Sequence, residues 1–253
     1  MFEIATHLAL LLILAAFVAG FVDSIAGGGG LIAMPMLLIA GASPLEALAT
    51  NKLQGAFGAG TATVAYARAG HVRLREQLGM AAVSALAAAI GALVAKAMPA
   101  DVLRIIMPVI LVAVAAFFAL KPGLSDLDRV QRLSAPAFTF TAVPLIAAYD
   151  GFFGPGTGSF FMLAFVLLAG FGMLKATAHT KMLNFASNIG SLCIFIPSGA
   201  MWWGVGLGMS VAQIAGAALG ARMAMKIGAR LIKPLIVTVS VAMALRLLWQ
   251  ALG

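Results

Sequence analysis

Residues 182–221 carry no charged side chain, and residues 136–174 carry only Asp150. Stretches this long with so little charge do not make a soluble domain, in which roughly a quarter of all positions are charged. The pattern runs through the whole chain: 63% of the 253 residues are hydrophobic and 9% are charged. In hydrocarbon, only helices and closed barrels satisfy every backbone polar group. Barrel strands need an alternating apolar and polar code, which this chain lacks, so it reads as an all-α polytopic membrane protein.

The apolar segments fall into two sets of five. The first set is 8–22, 31–40, 47–66, 78–97 and 102–120; the second is 136–149, 160–169, 176–195, 203–223 and 232–248. The only sustained polar stretch, 121–132, lies between the sets, so residues 1–125 and 126–253 are expected to form two transmembrane repeats. In each set the first two segments are shorter than the ~20 residues a spanning helix needs. A glycine-dense break separates them: Asp23-Ser24-Ile25-Ala26-Gly27-Gly28-Gly29-Gly30 in one half, and Asp150-Gly151-Phe152-Phe153-Gly154-Pro155-Gly156-Thr157-Gly158 in the other. Consecutive glycines suit a turn or a surface of bare N–H groups better than a helix interior. Paired short segments at matching places mark a midplane site in secondary transporters.

The halves also match position by position. At a separation of 129 residues Gly41 falls on Gly170, Ala47 on Ala176, Ala49 on Ala178, Lys52 on Lys181, Gly70 on Gly199 and Gly91 on Gly220. At a separation of 127, Asp23 falls on Asp150 and Gly27 on Gly154. Aspartate and lysine are rare here, so their pairing argues for an internal duplication rather than for shared alanine and glycine content.

Charge supplies the orientation. Of the basic residues, 11 gather in alternate loops: Arg68, Arg73, Arg75, Lys121, Arg129, Arg132, Lys175, Arg222, Lys226, Arg230 and Lys233. The opposite side receives Lys96, Arg104 and Arg246. The positive-inside rule puts the first group in the cytoplasm and accounts for the net charge of +8 without nucleic acid. An odd number of segments per repeat inverts the second repeat relative to the first. The expected fold is therefore two inverted-topology repeats, each a glycine-broken helix pair followed by three helices, with both termini periplasmic.

Asp23 and Asp150 stand directly before the breaks and have two readings: coupling or gating groups, or caps for the free N–H groups of the following turn. Lys52 and Lys181 sit within apolar segments. They either compensate an anionic solute, pair with the aspartates, or snorkel to the headgroups. Asn51, with Thr50 and Gln54, surrounds the first lysine; Asn184, with Thr180 and Asn188, surrounds the second, and Lys181, Asn184 and Asn188 share a helical face. His179 is a further gating candidate or a simple hydrogen-bond bridge. Gly27, Gly28, Gly29, Gly30, Gly154, Gly156 and Gly158 are expected to expose N–H groups to an anion. His7 and His71 lie too far from His179 in sequence to suggest a metal site, and no nucleotide-binding motif occurs, so neither metal nor cofactor is expected. Cys193, in an apolar run, is expected to be a buried small hydrophobe.

Val22 to Leu31, Ala47 to Gln54, Tyr149 to Gly158 and Lys175 to Asn184, in that order and over essentially the whole chain, resemble the TauE/SafE family of sulfite and organosulfonate exporters, in its YfcA-like branch. The resemblance implies a permease of the bacterial inner membrane. Its repeat motifs match at Asp23, Gly27 to Gly30, Asn51 and Lys52, and at Asp150, Gly154, Gly156, Gly158, Lys181 and Asn184. Thr157 against Gly30 and His179 against Thr50 make the site asymmetric. The expected function is export of small anions such as sulfite or organosulfonates, driven by voltage, protons or both. A cation-coupled importer of small organic or sulfur-containing anions is the alternative, and an intramembrane enzyme has weaker support because no catalytic constellation stands out. Expected partners are a small anionic solute and membrane lipids; a homo-oligomer is compatible with the sequence.

Overall fold

The computed structural model describes residues 6–119 and 130–228, with side chains for 7–114 and 130–228. The described residues are helical almost throughout. In chain order the helices are α1 (Thr6–Ala26), α2 (Gly29–Ile39), α3 (Pro44–Arg68), α4 (Leu74–Ala97), α5 (Ala100–Ala119), α6 (Ala135–Phe140), α7 (Ala142–Phe152), α8 (Thr157–Leu167), α9 (Met173–Phe195) and α10 (Trp203–Ile227), with a 3-10 turn at Ile196–Ser198. The polar 121–129 linker, Arg230, Lys233, Arg246, segment 232–248 and both termini lie outside the described residues.

Three described helices are long and apolar enough to cross a membrane by length and composition: α1 from His7, α4 and α10. With these the chain is a polytopic all-α membrane protein. Helices α3 and α9 are comparably long but carry the buried polar residues, among them Asn51, Lys52, Gln54, Lys181, Asn184 and Asn188. In contrast, large apolar side chains such as Leu86, Ile90, Ile105, Val109 and Val211 are exposed, as expected where the outer face meets lipid.

Local chemistry sets most helix ends. At α3, Ser43 and Glu46 form a capping box: Ser43 N–H donates to Glu46 Oε2 at 2.7 Å, and Glu46 N–H donates to Ser43 Oγ at 3.4 Å. Pro44 occupies the first helical position, where its missing N–H costs nothing. Ser43→Ala is expected to lower stability by about 1 kcal/mol, read as a fall in the unfolding midpoint in detergent. Gly41 and Gly170, after α2 and α8, both take positive φ (95° and 78°).

Four expectations need correction. The segment expected to end at Val22 continues to Ala26, so α1 has 21 residues and is long enough to cross a membrane rather than short. Asp23 is tolerated inside it because its carboxylate finds partners there. The first break is also narrower than the glycine run. Gly27 and Gly28 carry it, while Gly29 and Gly30 open α2. In the second half, 136–149 is interrupted at Thr141 (φ −120°, ψ −70°). Pro144 is the cause, since it cannot donate to the Phe140 carbonyl and its ring crowds that carbonyl. Finally Cys193 is exposed, not buried. Its neighbours Leu192 and Phe195 take the inner face of α9.

Candidate functional site

The long polar helices meet at the centre. Helices α3 and α9 cross antiparallel: a methyl built at Gly55 lies 3.3 Å from Asn188 Oδ1, and one at Gly60 lies 3.1 Å from the Phe185 ring. Small residues at the crossing bring the backbones close enough for polar side chains to interact.

Both breaks reach this crossing. Gly27 has φ +81°, and a methyl there would lie 2.2 Å from the Gly158 carbonyl carbon. Only glycine meets both demands. Ser159 Oγ ties the same junction by donating to the Ala26 carbonyl at 2.6 Å. Gly154 also has positive φ (97°), and a methyl on it would come within 3.0 Å of Lys52 Nζ. Helices α2 and α8 start here, so their first-turn N–H groups, which have no intrahelical acceptor, lie near the centre.

Around the junction are two ion pairs, each joining one half of the chain to the other. Lys52 Nζ lies 2.8 Å from Asp150 Oδ1, with side chains 1% and 3% exposed. Lys181 Nζ lies 3.3 Å from Asp23 Oδ2 and also donates to the Asp23 carbonyl. The lysines are therefore buried partners of the aspartates, not headgroup anchors. Each carboxylate has further support. Ser187 Oγ donates to Asp150 Oδ2 at 2.5 Å, and Gly29 N–H donates to Asp23 Oδ1 at 3.4 Å. The capping reading of Asp23 and the ion-pair reading thus hold together. Buried pairs of this kind offset their desolvation only when the remaining lone pairs are also satisfied.

A small polar cavity of about 30 Å³ lies between the pairs. Asp23, Asp150, Lys52, Asn51 and Asn184 line it, with Gly27, Gly30, Gly154 and Gly158. Gly55, Asn188 and Gln213 complete the lining. This is room for about one water molecule, too little for a sulfonate. Lys181 stands behind Asp23, outside the lining. Gly28, Gly29 and Gly156 are also outside it: Gly28 caps α2, Gly29 opens that helix, and Gly156 (φ 84°) caps α8.

His179 sits elsewhere. Its ring packs on Phe171 and Phe165, with centroids 4.8 and 5.7 Å away, and its Nδ1 lies 2.9 Å from the Lys175 carbonyl. That placement gives it a structural bridge at the start of α9. A larger cavity, about 990 Å³, is an open apolar groove lined by α3, α9 and α10, with Arg68 and Arg222 among its lining residues. None of the four paired charges lines it.

Sequence reasoning missed Ser187 and Gln213. Ser187 was readable only through helical spacing, since it lies two turns after Thr180 and one residue before Asn188 on α9. Gln213 stands alone in an apolar helix, and the only signal for it was that an unpaired amide in hydrocarbon is costly. Among the described residues, no group of three or more His, Cys, Asp or Glu side chains is placed to hold a metal ion.

The model of the sulfite exporter TauE/SafE family matches residues 12–247. The probable membrane transporter protein ORF9 of a Sinorhizobium species is 58% identical over 246 residues, covering 97% of this chain and 94% of the relative. The probable membrane transporter protein YfcA of Escherichia coli K12 is 44% identical over 253 residues, covering 100% and 94%. A probable membrane transporter protein of Haemophilus influenzae is 41% identical over 248 residues, covering 98% and 97%. No solved structure matches. With a family match spanning nearly the whole chain and relatives covered end to end, this polytopic membrane protein is a transporter rather than an enzyme and belongs to the TauE/SafE family.

Proposed function

We propose that the chain is a secondary transporter of the bacterial inner membrane that exports small anions such as sulfite or organosulfonates, using membrane voltage, protons or both. The observation that carries this reading is the exchanged pair of buried ion pairs, Lys52 with Asp150 and Lys181 with Asp23, flanking one polar cavity. Each ammonium is held by a carboxylate that an incoming anion can replace. Where the solute binds, the lysine charge lowers its desolvation cost and the first-turn N–H groups of α2 and α8 supply donors. With the inside negative, one negative charge leaving gains about 2.3 kcal/mol per 100 mV, so export needs no nucleotide domain.

The same reading takes residues 1–125 and 126–253 as inverted repeats, and several contacts support it. Lys52 and Asp150 exchange with Lys181 and Asp23 under the 129 and 127 separations. A methyl at Gly91 would meet the Ala148 carbonyl at 2.0 Å, and one at its counterpart Gly220 would meet the Phe21 carbonyl at 2.4 Å. Ala148 and Phe21 are themselves 127 apart. Gly70 and Gly199 share positive φ (79° and 70°). Antiparallel crossing of α3 and α9 follows naturally from inversion. In this arrangement the Gly70 turn faces the cytoplasm, the Ser198 turn faces the periplasm, and both termini are periplasmic. Single cysteines at His71 and Ser198, in a chain with Cys193 replaced, are expected to label from the inside and the outside respectively. Labelling of both from one side would contradict the inversion.

Reconstitution in liposomes tests the function. Sulfite, sulfate and small sulfonates are followed under imposed voltage and pH gradients. Outward flux driven by voltage, by a proton gradient or by both is expected. Absolute dependence on an inward cation gradient would instead establish the importer, and chemical conversion of the solute without transport would overturn the transporter reading.

A further inference from the structure

Gln213 belongs to α10, yet its side chain crosses between α1 and α3 to line the cavity between the ion pairs. It does so through a gap that two glycines keep open. A methyl at Gly20 would lie 2.9 Å from Gln213 Cγ, and one at Gly58 would lie 2.5 Å from Cγ and 2.8 Å from Nε2. The amide is 3% exposed, and its Oε1 has no hydrogen-bond partner. Gln54, Gln77 and Thr180 also keep a buried oxygen unpaired, but none of them lines the cavity.

The other half of the chain is built differently at the matching place. Ser84 stands 129 residues before Gln213, and its hydroxyl is already used, donating to the Leu183 carbonyl at 2.9 Å. Ala147 stands 127 residues after Gly20, and Ser187 stands 129 after Gly58. Gln with two glycines on one side thus replaces Ser with Ala and Ser on the other. Volume is conserved by three linked exchanges, and their net result is one amide delivered to the cavity from one side only.

We propose that Gln213 is a solute-contacting, specificity-determining residue, and that the solute it selects is a small monoanion carrying a neutral O–H group, such as a hydroxylated sulfonate or a singly protonated oxyanion. This rests on the anion-carrier reading above. An amide presents a donor and an acceptor side by side. Its donor suits an anionic oxygen, and its Oε1, which has no protein partner, is free to accept from a donor on the solute. An ammonium donor is disfavoured beside Lys52 and Lys181, which leaves a hydroxyl. The charge of the centre gives the same answer for valence: two lysines and two aspartates sum to zero, so a dianion would bring two uncompensated charges into a buried site and a monoanion only one.

The test compares two sulfonates that differ only in the hydroxyl, 2-hydroxyethanesulfonate and ethanesulfonate, in liposomes under one imposed voltage. Wild-type protein is expected to favour the hydroxylated anion by about tenfold or more in kcat/KM, the range expected when a buried acceptor is left unpaired. In Gln213→Leu the ratio should fall to about one, mainly through loss of the hydroxylated anion's lower KM. Gln213→Ser, which copies the residue of the other half, provides the same readout if the leucine variant does not fold. Equal transport of both sulfonates by wild type, or an undiminished ratio in both variants, would overturn the proposal while leaving the carrier intact. Flux of neither sulfonate nor sulfite would overturn the carrier reading and this inference together.

Discussion

Lys52→Met is expected to abolish voltage-driven anion flux and, by itself, to destabilise the protein by about 3–5 kcal/mol, the cost of breaking one side of a buried pair. Asp150 is 2% exposed, and after the substitution the Ser187 hydroxyl remains to support the carboxylate. Lys52→Met/Asp150→Asn removes both charges and should recover most of the lost stability, because the desolvation penalty goes with them. It should not recover flux, since the solute has lost its ammonium. The same pattern is expected for Lys181→Met alone and with Asp23→Asn. Lys52→Arg should rescue only in part, because a planar fork does not fit a compact ammonium site. Thermal unfolding and chromatographic monodispersity in detergent report the first effect, and liposome flux the second. Wild-type flux in a well-folded Lys52→Met/Asp150→Asn protein would remove the lysine from the mechanism.

Gly27→Ala is the second large effect. The position combines φ +81° with a methyl that would lie 2.2 Å from the Gly158 carbonyl carbon and 2.3 Å from the Ser159 nitrogen. Backbone cannot swing aside as a side-chain tip can. Left-handed strain costs roughly 1–2 kcal/mol and overpacking about 1–3 kcal/mol more, so a loss of about 3 kcal/mol or greater is expected, with separation of the two breaks and loss of flux. Gly158→Ala, which meets Gly27 Cα at 2.6 Å, should behave alike. Gly79→Ala is the control. It lies within α4, has nothing within 4 Å and should be neutral or stabilising by up to about 1 kcal/mol. Normal folding and flux in Gly27→Ala would show that the junction yields.

The residues that act locally were the legible ones. Ser43, Pro44 and Glu46 lie within four residues of one another and together form the cap that starts α3. The charge-free stretches gave the membrane architecture, and the paired motifs located the residues that meet at the centre. What the sequence hid depends on distant partners. The extension of α1 past Val22 follows from Lys181, 158 residues away, reaching Asp23. The crossing of Lys52 to Asp150, rather than to an aspartate of its own half, is set by tertiary packing that no local pattern carries. Pro144 was visible, but its effect depends on which helix it interrupts. Gln213 was hidden for a different reason: its match in the other half is Ser84, so a search for repeated polar residues passes over it.

The most direct single measurement is the current carried by purified wild-type protein in liposomes when sulfite is stepped on one side, with no pH or cation gradient. A solute-dependent current with the sign of moving negative charge is predicted, and it should vanish in a folded Lys52→Met/Asp150→Asn protein. A wild-type protein that gives neither such a current nor sulfite flux, or one whose transport is unchanged when the pair is removed, would contradict an anion path between the exchanged ion pairs.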